Sequence, residues 1–93
     1  MVVKIPFNLM SVNQGREGLE VIFRYGNAWY KLPWDEVPDR YKELYVVYLK
    51  LSGIEVPEWL RTYDVDTVDI SAIDIEIDLN KCIEIPENYP IGA

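Results

Sequence analysis

The sharpest pattern in the chain lies near its C-terminal end, where Ile73, Ile75, Ile77 and Leu79 alternate with Asp74, Glu76, Asp78 and Asn80. A strict two-residue repeat predicts a β-strand with an aliphatic face and, up to Asn80, an acidic one. Asn80-Lys81 then predicts a turn into a partner strand over Cys82 to Ile85, a C-terminal hairpin. Val2 to Met10 alternates more loosely and predicts a first strand, with Pro6 at an edge or a bulge. Asn13 to Gly18 is rich in turn formers and reads as a loop. Leu19 to Tyr25 and Ala28 to Leu32 flank Gly26-Asn27, a connector suited to a tight hairpin turn.

Between the two hairpins the period changes. Val37, Tyr41, Leu44, Tyr45, Tyr48 and Leu51 recur at helical spacing, with Pro38 fitting a first helical residue and Gly53 a stop. Asp35, Glu36 and Asp39 sit near the N-terminus of that helix, where its dipole favours them. Leu44 to Leu49 is an apolar run rich in β-formers, so a strand is the alternative there. Three turns of periodicity favour the helix. Pro57 to Arg61 adds one further helical turn. The predicted fold is therefore α+β in one domain: a small antiparallel sheet of two hairpins plus an N-terminal strand, with one main helix packed on one face. It divides into N-terminal strands (1–32), a helical segment (33–62), an acidic hairpin (63–86) and a tail (87–93).

Composition supports a packed domain. The 93 residues are 49% hydrophobic and 13% aromatic, which excludes disorder but leaves a chain this short a thin stability margin. Cys82 is the one cysteine, so neither an intramolecular disulfide nor a thiolate metal cluster is expected. No stretch approaches the roughly 20 apolar residues that span a bilayer, and the N-terminus does not read as a signal peptide. The expectation is a cytoplasmic protein, in the host cytoplasm if viral.

Charge changes the picture more than composition does. Residues 1–62 hold eight basic and eight acidic side chains, whereas residues 63–93 hold eight acids against Lys81, so the net −7 lies in the last third. This excess argues against direct nucleic-acid binding, which needs cations to displace counterions from phosphates. There is no histidine, and no phosphate loop, nucleophile elbow or Cys/His metal spacing. Asp64, Asp66 and Asp69 resemble fragments of a calcium loop without its glycine or its spacing. Cys82 reads as a packed thiol. No enzyme activity, cofactor or metal is expected.

Carboxylates two apart on a strand are about 6.7 Å apart, and each neighbouring pair repels by roughly one thermal energy in water. Threonine or lysine would serve the fold as well, so the row needs a reason. One is solubility and protection of the sheet against edge pairing. The other is recognition of a basic surface by Asp69, Asp74, Glu76, Asp78 and Glu84, joined by Asp64 and Asp66. Duplex DNA carries about eight charges in ~13 Å of axis, so mimicry of nucleic acid would need Asp64, Asp66, Asp69, Glu84 and Glu87 on the same patch as the row. Trp34 and Trp59, both beside proline turns, are candidate contact anchors, although most of the aromatic residues are expected in the core and at its rim.

No motif ties the chain to a family. In size, charge and missing catalytic groups it resembles the small acidic inhibitors that phages and archaeal viruses direct at host nucleases, including anti-CRISPR and anti-restriction proteins. That resemblance implies a stoichiometric inhibitor whose partner is a protein with a basic, nucleic-acid-handling groove. The rival expectation is an assembly module that self-associates, as a homodimer or larger, through a sheet edge or its aromatic surface.

Overall fold

A computed structural model describes residues 1–63 and 73–90. The fold is α+β with one main helix, as the patterning predicts, but the strands form two antiparallel sheets where one was expected. Strand β1 (Val2–Pro6) leads through a single 3-10 turn (Phe7–Leu9) into β2 (Ser11–Gly15). Strands β3 (Gly18–Tyr25) and β4 (Ala28–Pro33) follow, then a second 3-10 turn (Trp34–Glu36) and helix α1 (Asp39–Leu51). A longer 3-10 segment (Glu58–Tyr63) precedes β5 (Asp74–Asp78). A 3-10 turn (Leu79–Lys81) leads to β6 (Ile83–Ile85). None of the described helices is long and apolar enough to cross a membrane.

Strands β2, β3, β4 and β6 form one sheet in that order, while β1 and β5 pair as a separate ribbon. The Gly26-Asn27 hairpin forms as expected, with Tyr25 opposite Ala28. Three local expectations need correction. The first strand does not run to Met10: the ladder with β5 closes where the Phe7 N–H donates to the Ile73 carbonyl at 2.9 Å, and the chain then turns over Phe7–Leu9, with Met10 donating back to Phe7. The supposed loop from Asn13 is strand β2 down to a two-residue turn at Arg16-Glu17, with Gly15 opposite Gly18.

The C-terminal hairpin does not form either. Strand β5 pairs with β1, which brings Ile75 opposite Ile5 and Ile77 opposite Val3, while β6 pairs with β4 in the other sheet. The cause is local. The Asp78 carboxylate accepts the Asn80 N–H at 3.0 Å, and the turn it caps steps the chain from one sheet to the other. The Asn80-Lys81 pair is therefore a 3-10 turn instead of a hairpin connection.

One core joins the layers. Val3, Ile5, Ile75 and Ile77 from the ribbon meet Val21, Phe23 and Leu32 from the larger sheet, with Val37, Tyr41 and Leu44 closing the cluster from the helical side. Helix α1 begins one residue later than predicted, at Asp39, and Pro38 supplies the carbonyl that Tyr41 and Lys42 bond to. It ends at Leu51, and Gly53 just beyond, with a φ of +72°, lets Ile54 donate back to Leu49. A smaller cluster of Val46, Leu49 and Leu60 fixes the Glu58–Tyr63 segment against the helix.

Candidate functional site

The alternation in β5 decides where its charges go. Ile75 and Ile77 are each 1% exposed, so Asp74, Glu76 and Asp78 are turned away from the core in a row. Removing two isoleucines from water favours this orientation by several kcal/mol (about 1.5 to 3 per side chain), far more than the mutual repulsion of the carboxylates opposes it.

The row has company that the strand pattern alone did not reveal. Register places Lys4 opposite Glu76, Val2 opposite Asp78 and Pro6 opposite Asp74. The Met1 ammonium lies 3.5 Å from an Asp78 oxygen. Lys81 reaches Glu36 at 3.9 Å. Glu36, Glu76, Asp78 and Lys81 line a shallow depression of about 250 Å³ beside the ribbon, floored by Leu32 and Ile77. Asp78 is held below the usual carboxylate range, first by the Asn80 N–H and then by the Met1 ammonium and Lys81.

The other expected site residues distribute as follows. Glu84 belongs to β6 in the four-stranded sheet, opposite Tyr30, so it is not a member of the row. Asp64, Asp66 and Asp69 lie outside the described residues. Trp34 is half-buried and edge-on to Tyr41, Tyr45 and Trp59 at 6.5, 6.2 and 5.8 Å, a packing hub with little face left for a partner. Trp59 is 53% exposed and offers most of its indole to solvent. Lys42, buried on α1, places its ammonium 5.3 Å from both the Trp34 and Tyr63 rings and ties the two helical segments together. Burial pushes the Cys82 thiol up to about 11, with the nearby Asp78 charge adding to it, so the sulfur is a protonated thiol at neutral pH. Among the described residues no group of three or more carboxylate, Cys or His side chains could hold a metal ion.

A second polar constellation escaped the sequence. On the face of the larger sheet away from the core, Glu20 is 6% exposed and accepts from Asn13 Nδ2 at 2.8 Å and from the Tyr89 hydroxyl at 2.7 Å. Lys31 Nζ donates to the same hydroxyl at 3.4 Å and lies 4.9 Å from the ring. Burial of Glu20 has no local sequence signal, because its partners are 7 and 69 residues away. The stretch from Pro86 to Pro90, expected as a tail, is thus latched to the sheet. Comparison with family models, with curated proteins and with solved structures returned no match, so the assignment of a role rests on the geometry above.

Proposed function

We propose that this chain is a non-catalytic binding protein that presents the Asp74–Glu76–Asp78 row to a basic surface of a protein partner and regulates that partner by occupying it. The observation that carries the reading is the outward row itself, three carboxylates fixed at alternate positions by the burial of Ile75 and Ile77. A rigid strand presents charge with little loss of conformational entropy on binding, which suits a docking surface. Opposite potentials steer encounter and set register, and a groove that handles nucleic acid presents a matching array of cations. Glu36, at the rim of the neighbouring depression, is paired with Lys81, so the uncompensated charge of this face is concentrated on the strand. Trp59, at 53% exposed the most accessible of the aromatic side chains, is available for an apolar contact.

The test is capture from native host lysate at low and moderate salt, with wild type beside Asp74→Lys/Glu76→Lys and beside Glu84→Lys. The row reading expects a specific partner whose retention falls with salt and is lost with the double reversal, while Glu84→Lys, in the other sheet, keeps it. A partner held equally by all three proteins would remove the row from the interface.

A further inference from the structure

The cleft between β2 and α1 holds a buried polar group that the fold itself leaves unused. Its volume is about 540 Å³, within the range of small-molecule sites. The turn after β1 contributes Phe7 and Met10, β2 contributes Val12, and α1 contributes Tyr41, Tyr45 and Tyr48. Asn8 and Ser11 complete the described lining, in which no residue is charged. The three tyrosines form a ladder along the helix, with ring centroids 6.2 and 6.1 Å apart and planes within 25° of parallel. Tyr41 is 1% exposed, and its ring is clamped by Phe7 at 5.0 Å and by Trp34 at 6.5 Å. Among the described residues none hydrogen-bonds its hydroxyl. No side-chain oxygen or nitrogen of those residues is both sealed from solvent and unpartnered, so the hydroxyl keeps an opening, and the Tyr41 side chain opens on the cleft.

We propose that this cleft binds an uncharged aromatic heterocycle, with the Tyr41 hydroxyl donating to a ring nitrogen or carbonyl oxygen of the ligand. Three properties select that class. The described lining holds no charged group, so an ionic ligand would lose its water without gaining a counter-charge. Aromatic and thioether side chains dominate the lining, and a flat ring packs on them edge-on or offset-stacked. Burial keeps the Tyr41 phenol protonated, so it is a donor and calls for an acceptor on the ligand. The clamped ring holds that donor in place before any ligand arrives, so little freedom is lost on binding. The cleft shares no residue with the acidic row, so ligand occupancy and partner docking are separate activities.

Isoquinoline, neutral at pH 7, is the probe. Naphthalene has the same shape without the acceptor, and N-methylisoquinolinium carries a fixed positive charge. Each is titrated at matched concentrations into isotope-labelled wild type, Tyr41→Phe and Tyr48→Ala, and NMR shifts are followed. The expected result is isoquinoline half-saturation at or below about 10 mM, with shifts centred on Met10, Val12, Tyr41, Tyr45 and Tyr48. Naphthalene and the cation are expected to bind at least about fivefold more weakly, the naphthalene difference being that of one hydrogen bond. Tyr41→Phe, with an unchanged circular dichroism spectrum, is expected to bind isoquinoline no better than naphthalene and to leave naphthalene binding as in wild type. Tyr48→Ala, which removes a side chain 45% exposed, is expected to weaken both. Absence of a saturable isoquinoline shift in wild type overturns the proposal. So does naphthalene binding equally well, tighter binding of the cation, or a Tyr41→Phe variant that binds isoquinoline as wild type does.

Discussion

Tyr89→Phe removes one oxygen and tests whether the C-terminal segment is part of the fold. That oxygen donates to Glu20 at 2.7 Å and accepts from Lys31 at 3.4 Å. The ring stays, so its packing and the 4.9 Å contact with the Lys31 ammonium are retained. What is lost is a hydrogen bond to a carboxylate that is 6% exposed and keeps Asn13 as its other partner. Bonds to charged groups contribute about 1.5 to 3 kcal/mol, and Tyr89 is itself only half-buried, so the lower end applies: about 1.5 kcal/mol. In a domain of this size each kcal/mol shifts the thermal midpoint by about 4 to 8 °C. Urea unfolding at pH 7 of wild type, Tyr89→Phe, Glu20→Gln and the double variant isolates the pair, with a coupling of about 1 kcal/mol expected. A Tyr89→Phe variant within about 0.3 kcal/mol of wild type, with no coupling to Glu20→Gln, would refute the latch and return Pro86–Pro90 to the status of a tail.

Two further outcomes follow from the same geometry. Gly15 faces the Glu20 carboxylate so closely that a Cβ there would fall 2.3 Å from Oε1. Gly15→Ala must therefore push the carboxylate off Asn13 and Tyr89, and about 1 to 2 kcal/mol of destabilisation is expected, largely absent when Glu20 is already alanine. Burial raises the Tyr41 hydroxyl far above its ordinary value of 10.0, with Tyr45 raised in the same direction and Tyr89 raised chiefly by its bond to Glu20. A hydroxyl raised on folding keeps its proton in the native state when the unfolded chain has lost it. Its contribution is complete below pH 10 and is lost as pH rises through the folded value. Stability measured by urea midpoint is expected to be flat from pH 7 to 9 and to fall above 10, and Tyr41→Phe is expected to flatten that fall; an unchanged alkaline slope in Tyr41→Phe would show another group responsible.

Local patterning made much of this fold legible. The strict alternation at residues 73–79 specified which side chains of β5 are buried, and the 3.6-residue recurrence from Val37 to Leu51 outweighed the β-branched pair Val46-Val47 in placing α1. Pairing was not legible in the same way. An alternating strand states that it needs an apolar partner face without naming one, and β1, with Val3 and Ile5 at matching parity, met the need better than the three-residue β6. The step between sheets depends on one side chain, Asp78, closing a turn on Asn80. The same limit explains the site. Outward carboxylates were readable from period alone, whereas Lys4 opposite Glu76 and Tyr89 on Glu20 are products of long-range register.

Register also grades the row. Asp78 already accepts the Asn80 N–H and lies near the Met1 ammonium, so a partner cation there competes with bonds the free protein has made. Glu76 faces Lys4 across the ribbon, an exposed pairing that solvent screens and that a better cation displaces at little cost. Asp74 sits opposite Pro6, with no cation across the strand. The free energy gained by an incoming lysine or arginine is set by what the carboxylate gives up, so availability rises from Asp78 through Glu76 to Asp74. Neutralising single positions should weaken partner binding in that order, least for Asp78→Asn and most for Asp74→Asn. The inverse ranking would mean that the turn at Asp78, and not the open strand, makes the contact.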